Sequence, residues 1–148
     1  MASQPTNPSV PALVETLDDM PDYYASVCKG RCLEPEYMDG CTLAFTKKGK
    51  PKTGEYVCLW FKPEKVPHGE HQCMVKRVVM ALPDECTFPF NAGLWVNAVP
   101  FMIVEMLNPP RQFPVKASDL LGIHRMLGEV DHDGQGMARL PRSWMEEA

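Results

Sequence analysis

Two neighbouring stretches decide the fold of this chain: EYVCLWF at residues 55–61 and QCMVKRVVMAL at residues 72–82. Both are rich in β-branched or aromatic residues, which pack well on a pleated, partly buried surface. The segment between them contains Pro63, Pro67 and Gly69, which interrupt regular structure. The two stretches therefore predict a pair of strands, with the intervening segment as a hairpin loop.

Short segments of the same kind lie on both sides of this hairpin, separated by turn signals such as Asp39-Gly40 and Asn108-Pro109-Pro110. The further predicted strands cover residues 23–28, 41–46, 93–99, 101–107 and 122–130. About seven strands without helical periodicity predict an all-β fold with little helix, either a barrel or a half-open folded sheet. The 15 prolines and 10 glycines also favour short elements over long helices.

The 148 residues suit one folded domain. We predict a flexible N-terminal arm at residues 1–21, the domain at residues 22–131 and a C-terminal tail at residues 132–148. The arm is rich in Pro, Ser and Asn and holds at most a short helix over Ala12–Asp19. Because it is too short for a helix-turn-helix unit, we expect no direct DNA-binding domain.

Composition argues against several functional classes. The net charge of −4 does not suit a broad surface for nucleic-acid phosphates. The chain opens without a basic and apolar leader, and no apolar run reaches the roughly 20 residues of a membrane helix. We therefore expect a cytoplasmic protein that makes no membrane contact and uses no cofactor. In that compartment we expect the cysteines to be reduced, and they are Cys28, Cys32, Cys41, Cys58, Cys73 and Cys86.

The sequence CKGRCLEPEYMDG at residues 28–40 resembles a motif of the LexA/UmuD/phage-repressor peptidase family. That motif runs Gly, any residue, Ser, Met, a short spacer with Pro, and then Asp-Gly. The residues that fit it are Gly30, Pro35, Asp39 and Gly40. Leu33 is a conservative replacement for the Met, and Cys32 falls at the position of the nucleophilic Ser.

A second segment, at residues 51–58 and 74–77, is similar to the same family's Gly-Asp-Ile-Val strand entry and Val-Lys-Arg stretch. Lys76 falls at the lysine that serves that family as general base. Residues 104–109 and 123–130 look like two of its later strands. The resemblance, over roughly residues 23–130, implies a LexA/signal-peptidase-like fold, a homodimer, and a regulatory role linked to phage or the SOS response.

The resemblance also implies a modified Ser–Lys site in which Cys32 and Lys76 are catalytic. Backbone N–H groups of the turn at Gly30, Arg31 and Leu33 would form its oxyanion hole. Thiols have an ordinary pKa of about 8.5 and lysine ammoniums of about 10.4, so in water the proton prefers the amine by roughly 2.6 kcal/mol. A Cys–Lys pair can therefore rest as thiolate and ammonium, although burial penalises both charges.

A second hypothesis is that the domain is a catalytically inactive module that dimerises or binds a protein partner. The Cys in place of Ser favours it, as does the absence of an Ala-Gly or Cys-Gly cleavage bond before Gly30. A zinc site is a further alternative, although its spacings fit no common zinc pattern; it would use Cys28, Cys32, His68, His71 and Cys73. The simpler interpretation of these cysteines is that they fill core positions as small apolar side chains. His124 is likewise expected to be a hydrogen-bonded histidine of the last strand.

Overall fold

The computed structural model of this protein describes residues 13–66, 70–131 and Ser143. In this part of the chain the strands are Tyr23–Val27 (β1), Thr42–Thr46 (β2), Tyr56–Phe61 (β3), Cys73–Met80 (β4), Phe101–Leu107 (β5), Pro110–Lys116 (β6) and Leu120–Val130 (β7). The connections contain three single-turn 3-10 helices, Pro63–Lys65, Ala92–Leu94 and Ala117–Asp119. None of the helices within these residues has the length and apolar character that a membrane span requires.

The strands form one antiparallel sheet in the order β1-β2-β7-β3-β4-β5-β6, which confirms the all-β prediction. Strand β3 lies near the middle of the sheet, between β7 and β4. Its alternate residues contribute to two different cores, since Val57 and Leu59 belong to one apolar cluster and Cys58 belongs to the other. A strand buried on both faces has a continuous apolar sequence, which explains the EYVCLWF run.

The two apolar clusters hold the sheet and its connections together. The buried members of the first are Val57, Leu59, Val78, Met102, Val104, Val115 and Leu120. Those of the second are Cys28, Leu33, Leu43, Phe45 and Cys58. Leu33 lies in the connection between β1 and β2, so the second cluster fixes that connection against the sheet. This is the connection that carries Cys32.

The prediction of a strand at residues 93–99 is wrong, because Ala92–Leu94 form a 3-10 helix and no strand follows before Phe101. Asn91 Oδ1 accepts a hydrogen bond from the Gly93 N–H at 3.0 Å, and the Trp95 N–H donates to the Ala92 carbonyl at 3.1 Å. These bonds close a 3-10 turn, because a short polar side chain offers the backbone a local alternative to a sheet. Three of the apolar side chains that suggested a strand are exposed, and they are Leu94, Val96 and Val99.

Strand β6 was not predicted because Pro110 and Pro114 interrupt its sequence. Proline lacks the N–H that a central strand must donate, but an edge strand tolerates it. β6 pairs only with β5 and is an edge strand of the sheet, so the two prolines are compatible with it.

The predicted N-terminal arm is described from Leu13 onward, and residues 13–20 form bends and a turn in place of the expected short helix. The Val14 backbone is hydrogen bonded to the Gln72 side chain, which holds this segment against the domain. Residues 1–12, and the predicted C-terminal tail apart from Ser143, lie outside the described residues.

Candidate active site

The connection between β1 and β2 is a closed loop, residues 28–41, that carries Cys32. At its mouth the Cys28 N–H donates to the Cys41 carbonyl at 2.7 Å, and the Gly40 N–H donates to the Cys28 carbonyl at 2.8 Å. These two bonds continue the antiparallel ladder of β1 and β2 beyond its last paired residues. The loop therefore begins and ends on a rigid part of the sheet.

Leu33 anchors the middle of this loop. Its side chain is fully buried in the second apolar cluster, beside Leu43 and Phe45. Its carbonyl accepts a hydrogen bond from the Tyr37 N–H at 3.1 Å. Because Leu33 directly follows Cys32, its burial limits the positions that the thiol can take.

Polar side chains brace the outer part of the loop. Gly30 has a left-handed φ of 97°, and its N–H donates to Asp39 Oδ1 at 2.9 Å. Glu34 Oε2 accepts from the Asp39 N–H at 3.3 Å, and Glu34 Oε1 accepts from Arg31 Nε at 2.8 Å. Glycine is favoured at position 30 because other residues are strained at such a φ. The sequence marked Asp39 as a turn former, but its contact with Gly30 was not predicted.

The peptide carbonyl of Cys32 is tied to the end of β5. It accepts hydrogen bonds from the Leu107 N–H at 2.7 Å and from the Asn108 N–H at 3.0 Å. The loop is therefore fixed at two distant points of the sheet, its own mouth and the β5–β6 turn. The Asn108-Pro109-Pro110 turn signal located this hairpin in the sequence, but nothing there indicated its contact with Cys32.

Lys76 in β4 meets Cys32 across these elements. Its Nζ lies 3.5 Å from Cys32 Sγ and donates to the Val75 carbonyl at 3.2 Å. The Lys76 side chain is buried, whereas Cys32 is half-buried and remains accessible from solvent. Within the described residues no carboxylate lies within 4.0 Å of Lys76 Nζ. The structure thus brings together the two residues that the sequence selected.

The backbone amides predicted to form the oxyanion hole differ in whether they already donate a hydrogen bond. The Gly30 amide already donates to Asp39, so it is engaged. The amides of Arg31, Cys32 and Leu33 donate to no acceptor in the described part of the chain. The Arg31 side chain is mostly exposed and paired with Glu34, away from the thiol chemistry. Of the predicted set, the Arg31 amide therefore remains for an incoming carbonyl oxygen, because Leu33 has no solvent-exposed surface.

The other cysteines sit in environments that change their acidity. Burial raises the pKa of the Cys28 thiol to about 11, and burial also raises the pKa of Cys41 and of Cys86. A hydrogen bond to Cys73, together with burial, raises the pKa of Cys58, and the same bond lowers the pKa of Cys73. All six cysteines are free thiols. Four of them therefore serve as internal references of low reactivity.

A second polar cluster lies on strands β1, β3 and β7. The Tyr24 hydroxyl lies 2.7 Å from His124 Nδ1 and accepts from Trp60 Nε1 at 3.0 Å. Burial, and then the charge of Lys47, lowers the pKa of His124 to about 4. His124 is thus the hydrogen-bonded strand histidine that the sequence led us to expect.

The described residues contain no group of three or more His, Cys, Asp or Glu side chains that could hold a metal ion. Of the residues considered for zinc, His68 lies outside this part of the chain. A cleft of about 630 Å³ opens elsewhere on the domain, between the arm and the end of β4. Neither Cys32 nor Lys76 lines it.

No protein-family model, no curated protein and no solved structure matches this chain. The contact between Cys32 and Lys76 is therefore the feature from which a function has to be inferred.

Proposed function

We propose that this chain is a cysteine-nucleophile variant of the LexA/UmuD-like peptidase domain, in which Cys32 attacks an amide carbonyl and Lys76 is its charge partner. The observation that carries the proposal is the 3.5 Å contact between Lys76 Nζ and Cys32 Sγ. The sequence selected this pair through two separate motifs. A chance contact between two residues 44 positions apart has no reason to coincide with both motifs.

The reaction follows from the charges of the pair. The Cys32 thiolate attacks the carbonyl carbon, and the Arg31 amide donates to the developing oxyanion. When the C–N bond breaks, the leaving amine takes a proton from the Lys76 ammonium, and a thioester remains on Cys32. Water then loses a proton to the Lys76 amine and hydrolyses the thioester, which releases the carboxylic acid and restores the Cys32 thiolate and the Lys76 ammonium.

The absence of a nearby carboxylate supports this role for Lys76. A buried ammonium costs several kcal/mol unless an opposite charge balances it. Within the described residues, the atoms that contact Lys76 Nζ are Cys32 Sγ and the Val75 carbonyl oxygen. Cys32 Sγ is thus the contacting atom that can carry a negative charge opposite the lysine when the thiol ionises.

The first experiment is iodoacetamide labelling of the native protein near pH 6.5, with the rate at each cysteine read by peptide mass spectrometry. We expect Cys32 to be labelled at least about tenfold faster than Cys28, Cys41 and Cys86, whose acidity is reduced by burial. Lys76→Met should slow Cys32 to the rate of these references. Lys65→Met, at an exposed lysine, is the matched control and should change nothing.

A second experiment tests acyl transfer directly with p-nitrophenyl acetate. We expect a burst of p-nitrophenolate and an acetyl group on Cys32 in the mass spectrum. The burst should disappear in Cys32→Ala and weaken in Lys76→Met. Acylation that persists in Cys32→Ala, or that is spread equally over all cysteines, would rule out the assigned roles.

The alternative is a catalytically inactive module of the same fold that dimerises or binds a partner. The observation that favours it is the position of the 630 Å³ cleft, which neither Cys32 nor Lys76 lines. Equal labelling of Cys32 in wild type and Lys76→Met, without acyl transfer, is the result that this module predicts. We further propose, from the motif resemblance, that the protein is a cytoplasmic homodimer with a regulatory role linked to phage or the SOS response.

A further inference from the structure

The cleft is closed on one side by the chain's own N-terminal arm, residues 13–20. Gln72, which is buried, holds the arm through the backbone of Val14. The Val14 N–H donates to Gln72 Oε1 at 2.7 Å, and Gln72 Nε2 donates to the Val14 carbonyl at 2.7 Å. The same Nε2 also donates to the Phe61 carbonyl at 2.9 Å, which fixes the orientation of the amide. Gln72 thus binds both backbone polar groups of one residue, as a neighbouring strand would.

Lys47 binds the arm in the same way, through backbone atoms. Its Nζ donates to the carbonyls of Leu17 and Met20, each at 3.0 Å. The hydrogen bonds from Gln72 and Lys47 to the arm therefore do not depend on the arm's side chains. They would hold any segment that presents the same backbone groups in the same bent conformation, with a turn over residues 17–20.

Leu17 is an arm side chain that packs closely on the cleft wall. Its Cδ1 lies where a β-carbon on Gly122 would come within 2.8 Å, so the glycine makes room for it. The cleft beside it still has a volume of about 630 Å³, within the roughly 300–1,000 Å³ of sites that bind ligands. Much of its wall is apolar, with Leu82, Phe88 and Leu120 among the lining residues.

Charge does not select for an ion in this cleft. Its lining includes three carboxylates and three ammonium groups, which balance each other: Glu15, Asp18, Asp84, Lys47, Lys50 and Lys62. The arm buries little apolar surface, since Leu13 and Val14 are exposed and Leu17 and Met20 are only half-buried. A segment with so few buried contacts opens at low free-energy cost.

We propose that the cleft and the backbone clamp beside it, Gln72 and Lys47, form a groove for an apolar peptide segment of a partner protein that adopts the bent conformation of residues 13–20. The arm is the resident occupant of this groove and competes with the partner segment. An aliphatic side chain of the partner takes the place of Leu17, and further apolar groups fill the remaining volume. The groove is independent of the proposed chemistry, because neither Cys32 nor Lys76 lines it.

The test uses the full chain and a fluorescein-labelled peptide with the sequence of residues 10–20, with binding followed by fluorescence anisotropy. The wild-type arm competes intramolecularly at an effective concentration in the millimolar range, so the peptide should bind weakly. Leu17→Asp removes the arm's apolar anchor and leaves the groove intact. We expect this variant to bind the peptide at least about tenfold more tightly.

The clamp is tested in the Leu17→Asp background. Gln72→Met should weaken peptide binding about tenfold, because two backbone hydrogen bonds are lost. Gln112→Met, at an exposed glutamine of β6, is the matched control and should have no effect. If Gln72→Met does not fold, a peptide N-methylated at the position of Val14 removes one of the same bonds without changing the protein, and it should also bind more weakly.

Three results would overturn the proposal. One is equal peptide affinity in wild type and Leu17→Asp, and another is full affinity of the N-methylated peptide. The third is a wild-type dimer in sedimentation that dissociates on Leu17→Asp, since the arm of a second copy would then occupy the groove. Cys32→Ala should bind the peptide like its parent, so failure here is distinct from failure of the proposed peptidase chemistry.

Discussion

Buried His124 should make the fold sensitive to mild acid. The imidazole is only 4% exposed and lies 2.7 Å from the Tyr24 hydroxyl. Burial, and then the charge of Lys47, lowers its pKa to about 4. In the unfolded chain a histidine has a pKa of about 6.5. Protonation is therefore easier in the unfolded state than in the folded one.

The sign and size of the effect follow from this difference. Between pH 6.5 and pH 4 the unfolded chain binds more protons, so the free energy of unfolding falls as the pH falls. The contribution of His124 is complete above pH 6.5 and is lost by the time the pH passes below 4. The whole difference corresponds to about 3.4 kcal/mol, of which about 2 kcal/mol is lost by pH 5.

The assay is urea unfolding at pH 7.5 and pH 5.0, compared between wild type and His124→Gln. Carboxylates contribute equally to both proteins, so the difference between the two pH-dependent losses isolates the histidine. We expect wild type to lose about 2 kcal/mol more than the variant. His71→Gln, at an exposed histidine, serves as control. Equal losses in wild type and His124→Gln would refute the reasoning.

Three further changes test the loop and the site. Leu33→Ala should lower the free energy of unfolding by about 2–5 kcal/mol, because it empties a fully buried position, and an unchanged urea midpoint would contradict this anchoring role. Asp39→Ala should lower the free energy of unfolding by about 1 kcal/mol in the same assay, since the Gly30 amide loses its acceptor. Asp39→Asn keeps an acceptor oxygen and should retain most of this stability. Lys76→Met should leave stability unchanged or raise it, because it removes a buried ammonium; a large loss would mean that the lysine is mainly structural.

The fold class could be predicted because its evidence is local. Strand β3 has a continuous apolar sequence that reflects burial on both faces, and β4 follows it after a Pro- and Gly-containing connection. Strand β6 escaped prediction because its prolines are permitted only by its position at the sheet edge, which is a property of the whole sheet. The strand at residues 93–99 was predicted wrongly because its apolar sequence is typical of a strand, and the sequence does not show that these side chains are exposed.

The site could be predicted only in part, for a related reason. The pairing of Cys32 with Lys76 came from two motifs, and the sheet places these residues in contact. The groups that fix the loop are backbone amides, at Leu107 and Asn108, and any residue type except proline can supply such a donor. The same holds for the hydrogen bonds between Gln72 and the N-terminal arm, which involve only the backbone N–H and carbonyl of Val14.

Lys76 is the residue on which the two functional hypotheses differ most. An inactive module has no use for a buried lysine whose amino group meets no carboxylate among the described residues, because an apolar side chain of similar volume would fill the position without the desolvation cost. The loop, by contrast, is equally well anchored under either hypothesis. If Lys76→Met keeps or gains stability while Cys32 loses its reactivity, the lysine serves the thiol at the expense of the fold. Such a trade-off is expected of a functional site and not of a scaffold.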